Sequence, residues 1–297
     1  MTLRSQQVPS DAAARLTLAQ SMCRFLARRT GRNFYYAFRV LPRDKHADMC
    51  TLYAFMRKTD DLADSDAPAS RRRQLLDQWR ADLDAALAGE PAANLFLLAT
   101  AEMVARRGIE AAHLHAVIDG CLQDTRPVAV DTPQALHAYC YHVAGAVGLC
   151  CVRVWGFDDR QAEAVRELSI ETGYAFQLTN ILRDLKEDAA AGRVYLPSST
   201  LGGFTAADLR DQSGPPTGRL REVLDVQLKT AKDAYERSAA LLPLLSRDGR
   251  RVLSAMRAIY GGLLNEIERR ELDVFTRRVR LPAWRKLMAA ARASRLR

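Results

Sequence analysis

Three observations predict an all-α chain. Apolar residues recur at steps of three and four along most of the 297 residues, the spacing that gathers them on one face of a helix. Ala, Leu and Arg abound while runs of Val, Ile and Thr are scarce, so local preference leans to helix. Gly and Pro fall between the periodic stretches, where helices stop and start. With 48 % hydrophobic and 27 % charged residues, the composition is that of an ordinary globular chain and excludes wholesale disorder. No solenoid-period repeat or low-complexity linker divides the sequence, so residues 1–297 read as one domain.

The elements follow in order. Residues 1–10 read as a frayed leader. Asp11 suits the N-cap of a helix in which Leu16, Ala19, Met22, Cys23 and Leu26 recur at helical spacing. Asn33 to Leu41 is aromatic and compact. Pro42 opens a long helix through Met49, Leu52, Phe55 and Met56 to Asp64. Further helices are expected over about 69–88, 93–107, 110–124, 132–155 and 159–190, punctuated by Gly89-Glu90-Pro91, Gly108, Pro127 and Pro133. Residues 193–218 read as the longest loop. Two or three helices then complete the chain, including a strong one over about 247–275.

A net charge of +9 suits an anionic partner without choosing between nucleic acid, acidic lipid and phosphorylated substrate. Six cysteines lack any C-x-x-C pair and mostly lie in apolar helical stretches. With no secretory signal near Met1, they read as reduced core thiols of a cytoplasmic protein. No run reaches 18 uninterrupted apolar residues, so no transmembrane helix is expected and any membrane contact is peripheral.

Two acidic segments carry the chemistry. Asp60 and Asp64 are four residues apart, stacked on one helix face where like charges repel. A single such pair is more often a solvated face. The second segment adds Gln177, Asn180, Asp184 and Asp188 at steps of three, four and four, one polar stripe on a helix otherwise covered by Phe176, Leu178, Ile181, Leu182 and Leu185. Such a stripe should face something polar and partly buried. Together the helices offer only oxygen ligands, which suits a hard cation such as Mg²⁺ bound through carboxylates and substrate phosphates. Zinc and di-iron fit less well, since there is no H-E-x-x-H and only one Glu-x-x-His, Glu110 to His113.

These segments resemble the squalene/phytoene synthase family of trans-isoprenoid synthases. The resemblance runs through Asn33 to Pro42, Leu52 to Asp64, Tyr139 to Gly148 and Tyr174 to Pro197, with an echo at Ile267 to Arg277. It implies an isoprenoid-synthase helical bundle around a central cavity. Asp60 and Asp64 would hold Mg²⁺ from one wall and Asp184, Asp188 and Asn180 from the other, two or three ions in all. Arg32, Arg57, Arg183, Arg193 and Arg277 would bind diphosphate, with Gln177 and Asn180 completing the polar lining and Phe34 and Phe38 forming wall. Tyr53, Tyr139 and Tyr195 would stand near the reacting carbons as catalytic residues. Val143 to Gly148 supplies small residues either for an isoprenoid tail or for close helix packing.

The implied reaction joins two allylic diphosphates head to head with release of diphosphate. The start at Phe34 and the end at Asp273 to Val279 look closer to presqualene diphosphate synthases of the hopanoid pathway, acting on farnesyl diphosphate, than to phytoene synthases acting on geranylgeranyl diphosphate. No reductase-cofactor segment is recognised, so NADPH is not expected. The C-terminal anchor of the eukaryotic squalene synthases is lacking, which points to a bacterial type. Gly31 and Asn33 depart from a family preference for Ser. Partners on this reading are isoprenoid diphosphates and no nucleic acid, leaving room for peripheral membrane contact and downstream isoprenoid-pathway enzymes. The rivals are a terpene cyclase acting on one diphosphate and a non-catalytic basic helical protein that binds nucleic acid or membrane.

Overall fold

The structure, a computed structural model, describes residues 12–126, 128 and 130–296, and all side chains there except those of Arg32 and Asn33. The leader at 1–10, the Asp11 cap and Pro127 lie outside the described residues. Helices α1 (Ala12–Thr30), α2 (Arg32–Phe38) and α3 (Arg43–Ala63) come first, followed by α4 (Ala69–Leu87), α5 (Leu95–Arg107) and α6 (Ala111–Gln123). Next are α7 (Pro133–Cys140), α8 (Ala146–Trp155) and α9 (Ala162–Ala190), then the short α10 (Ser198–Leu201) and α11 (Ala206–Asp211). Helices α12 (Gly218–Arg237), α13 (Arg247–Arg269) and α14 (Ala283–Ser294) complete the chain. Among the described residues there is no strand, only an isolated bridge between Phe157 and Leu245. The fold is all-α.

Local chemistry sets many of the boundaries. Asn94 caps α5 by accepting from the Phe96 amide, and Gly108, at φ 63°, ends it in the left-handed region that favours glycine. Thr132 caps α7 with Pro133 in its first turn. Thr205 and Asp208 form a reciprocal capping box on α11, which with α10 gives helical structure to the stretch expected as loop.

α9 is the axis of the bundle. It packs against α8, α11, α12 and α13, and its buried residues lie on several sides, as expected of a helix surrounded by others. Burying each of Leu178, Leu182 and Leu185 contributes about 2 kcal/mol. α3 packs on α1, α4, α5, α6 and α8, tied to α5 where buried Asp48 accepts from both Arg106 and Arg107. One apolar cluster runs from Ala27 to Ala293. All six cysteines are free and buried, as expected of core thiols.

Two departures from the sequence reading shape the site. The expected helix over 132–155 contains a π-turn at Tyr141–Gly145 between α7 and α8. That whole stretch, Pro133–Trp155, is long and apolar enough to cross a membrane by length and composition, contrary to expectation. Half of its apolar window is buried inside the bundle, as in a core helix. The second departure is that α13 ends at Arg269 rather than near 275. Glu271 and Leu272 take φ of 53° and 64°, a strained region for residues with side chains. The Leu272 amide donates to the Ile267 carbonyl at 3.0 Å and its side chain is buried, which holds the turn.

Candidate active site

α3 and α9 line one cavity of about 470 Å³. Asp60 and Asp64 stand at the C-terminal end of α3, and Asp184 and Asp188 in the last two turns of α9. A helix C-terminus carries partial negative charge, and neither last turn holds a basic residue to offset it. The mouth is therefore doubly negative, from backbone and from side chains. Below it the walls are apolar, with Phe38, Leu52, Val147, Val152, Phe176 and Met256 among the lining. From Asp60 to Met49 along α3 is about 16 Å, and from Asp184 to Ser169 along α9 about 22 Å.

Glycines bring α9 close to the π-turn segment. A Cβ on Gly173 would lie 2.6 Å from the Ala144 carbonyl oxygen, and one on Gly148 2.8 Å from that of Ser169. Ala144, Val147 and Gly148 also line the cavity. The small residues of 143–148 thus both allow close helix packing and border the cavity.

The carboxylates differ sharply in their partners. Asp184 accepts from Arg183 Nε at 2.8 Å and from Arg278 Nε and Nη2 at 2.7 and 2.8 Å. Burial alone would raise its pKa, but these guanidinium bonds outweigh it and hold the carboxyl below the usual range. Asp64 is exposed and accepts from Arg193 at 3.0 Å. Asp60 is enclosed by protein yet open to the cavity, and meets only a weak donor, Cys121 Sγ at 3.5 Å. Enclosure, reinforced by the charges of Asp64 and Asp124, pushes it up to about 6. Burial and then the Asp184 charge push Asp188 up to about 7.

Asn180 Nδ2 donates to Gln177 Oε1 at 3.2 Å, which leaves Asn180 Oδ1 buried without a hydrogen-bond partner. An orphaned buried acceptor on the same wall as Asp184 and Asp188 suits a hard divalent cation. Among the described residues no three Asp, Glu, His or Cys groups converge into a ready-made cage. Asp60, Asp188 and Asn180 therefore fit an ion that takes further oxygens from a bound anion.

Beside these carboxylates sits a group that sequence reasoning missed. Asp124, just past α6, accepts from Tyr139 at 3.1 Å and from Tyr195 at 3.1 Å, and the two rings stack with centroids 4.7 Å apart. Burial pushes Asp124 up to about 6 despite both hydroxyls. Tyr53 lines the cavity, and burial raises the pKa of its hydroxyl. Phe34 packs between Tyr53 and buried Tyr260. Tyr260 carried no signal beyond a core aromatic.

The arginines are corrected in part. Arg183 and Arg193 stand at the mouth as expected. Arg57 lines the cavity but pairs outward with Asp61 at 2.6 Å. Arg277 is exposed and away from the cavity; the left-handed turn at Glu271 and Leu272 sets the register so that Arg278 reaches Asp184 instead. Lys186 fixes that segment by donating to the Phe275 carbonyl at 3.0 Å. The Arg32 side chain lies outside the described set. At Gly31 an added Cβ would come 2.4 Å from the Ala27 carbonyl oxygen, so the backbone leaves no room for serine.

Comparison with known proteins points to one family. The family model described as squalene/phytoene synthase matches residues 27–285. The chain is 33 % identical to a 15-cis-phytoene synthase of Synechococcus elongatus, covering 94 % of this chain and 93 % of that one. It is 37 % identical to a presqualene diphosphate synthase of Rhodopseudomonas palustris, over 76 % and 79 %. Among solved structures, a ligand-bound dehydrosqualene synthase superposes with a TM-score of 0.85 at 26 % identity, covering 95 % of this chain and 98 % of that one. A squalene synthase of Alicyclobacillus acidocaldarius gives 0.77 at 27 %, covering 88 % and 98 %.

Proposed function

The chain belongs to the squalene/phytoene synthase family, and from that premise we propose that it joins two farnesyl diphosphates head to head into presqualene diphosphate, with magnesium at its acidic mouth. The observation that carries this reading is the set of buried or enclosed oxygens without strong partners, on Asp60, Asp188 and Asn180, beside arginines at the mouth of an apolar cavity.

Asp60, Asp64, Asp184, Asp188 and Asn180 would hold the metal. Bound magnesium supplies positive charge that stabilises the departing diphosphate. Arg183, Arg193 and Arg278 orient the phosphate oxygens with planar, permanently charged donors. The apolar walls keep water from the allylic cation left behind. The faces of Phe34, Tyr53 and Phe176 favour its charge. Tyr139 and Tyr195 both donate to Asp124, so their oxygen lone pairs are free to accept the proton lost when the cyclopropane ring closes. Asp124, raised to about 6, is matched to taking that proton on at neutral pH.

Farnesyl is favoured over geranylgeranyl by the apolar end of the cavity. Trp155 closes α8, and its carbonyl accepts from Lys45 Nζ at 2.7 Å, near the start of α3 and so far from Asp60. An indole there shortens the space for a tail. The second reading, phytoene formation from geranylgeranyl diphosphate, is favoured by the similarity to phytoene synthases.

Product identification decides between them. Purified protein incubated with C15 or C20 diphosphate, with and without Mg²⁺ and NADPH, should yield presqualene diphosphate from C15 with no need of NADPH. Phytoene from C20 as the sole product would establish the second reading. Trp155→Ala should raise the use of C20 relative to C15, and an unchanged ratio would remove the tryptophan from the argument.

A further inference from the structure

The far C-terminus has a surface that the reaction does not use. Of the chain's 44 Lys and Arg residues, eight fall within residues 274–297, where none of its 35 Asp and Glu occurs. The last 24 residues thus carry nearly all of the net charge of +9. Within them α14 turns the wrong face outward. Trp284, Leu287, Met288 and Ala291 follow one another at steps of three, one and three, a single helical stripe. The first three are 56 %, 44 % and 41 % exposed, while Ala290 and Ala293 on the opposite face are buried. Arg285, Arg292 and Arg295 are exposed along the same side, and Arg285 lies over the Trp284 ring at 5.4 Å. A shallow groove beside the stripe, walled by Ser254, Ala258, Met288 and Leu296, extends the apolar surface onto α13.

A helix of a globular protein normally keeps its apolar stripe inward, and a concentrated apolar patch on the surface marks a site of contact. We infer that the outward face of α14 docks the protein onto an anionic lipid bilayer. Trp, Leu and Met would enter the boundary between headgroups and acyl chains while the arginines pair with lipid phosphates. Charge selects this occupant over the others. A second copy would bring the same excess of positive charge against itself, which repels. Nucleic acid would meet the arginines, but the Leu287, Met288 and Ala291 surface between them offers it nothing. Only a surface with anionic groups above an apolar interior matches both halves of the face. The inference does not depend on which isoprenoid is made.

The test is co-sedimentation of the full-length protein with phosphatidylglycerol/phosphatidylcholine vesicles and with pure phosphatidylcholine vesicles. Binding is expected only to the anionic vesicles, weakened by salt. Arg285→Gln with Arg292→Gln should lower the partition coefficient about thirtyfold, from roughly 1 kcal/mol per basic residue near the surface. Trp284→Glu with Leu287→Glu should abolish binding while leaving the circular dichroism and the turnover in vesicle-free buffer unchanged. Equal binding to both vesicle types, or full binding by the Trp284/Leu287 double variant, would overturn the inference. So would a wild-type dimer in light scattering that the double variant makes monomeric, or duplex DNA displacing the vesicles.

Discussion

The two walls of the cavity mouth present the same number of carboxylates but hold them differently. On α3 the inner carboxyl, Asp60, has only a thiol for company, and the outer one, Asp64, is exposed with a single arginine that reaches across from beyond α9. On α9 the order is reversed in depth. Asp184 is gripped by two arginines, and Asp188, nearer the helix end, has burial and a like charge to contend with. Each wall therefore carries one carboxylate neutralised by guanidinium and one left to find another cation. Arginine holds Asp64 and Asp184 in place, while Asp60 and Asp188 meet no strong donor.

The comparison can be broken most forcefully by deleting one carboxylate from each wall. Asp60→Ala and Asp184→Ala are each expected to lower diphosphate release about a thousandfold or more, as for loss of a preorganised electrostatic partner in the transition state. Retained turnover in either would show that its wall does not act. Next comes the arginine pair. Arg278→Ala should cost about a hundredfold in kcat/KM, whereas Arg277→Ala should leave it unchanged, because only Arg278 touches Asp184. Equal effects would mean that the register of the 270s segment differs from the one described.

A tenfold effect, about 1.4 kcal/mol, is expected for Tyr139→Phe or Tyr195→Phe, each of which takes one donor from Asp124 while keeping the ring stack. If the double variant costs no more than either single one, the two hydroxyls act as a unit.

The smallest effect is thermal. Asp188 has a folded-state pKa of about 7, above its unfolded value, so its contribution to stability is complete below about pH 4 and is lost as pH rises through 7. The metal-free protein should therefore melt about 3 °C lower at pH 8 than at pH 6, and Asp188→Asn should flatten that fall. An identical slope in the variant would locate the titration elsewhere.

Much of this site could be read from spacing, because a period of 3.6 residues puts Asp60 with Asp64, and Gln177 with Asn180, Asp184 and Asp188, on single faces of two long helices. The all-α class followed from the same periodicity and from the punctuation by Gly and Pro, whereas the bundle around a cavity came from the family resemblance. Asp124 was hidden for a different reason. It lies in no motif, and its role exists only once Tyr139 and Tyr195, 15 and 71 residues away, converge on it. Arg278 was confused with Arg277 because the register is set by a left-handed turn at Glu271 and Leu272, where neither residue announces one. The π-turn at 141–145 has no composition of its own and arises where α9 presses against the segment at Gly173.

The account stands on Asp60 and Asp188 acting together, from opposite walls, on one metal-bound diphosphate. The direct measurement is diphosphate release from farnesyl diphosphate by the purified protein as a function of Mg²⁺ concentration, in wild type, Asp60→Asn, Asp188→Asn and the double variant. Release should require Mg²⁺, each single variant should demand far more of it, and the double variant should be no worse than the more damaged single one. Release without a divalent cation, or single-variant effects that multiply in the double variant, would contradict it.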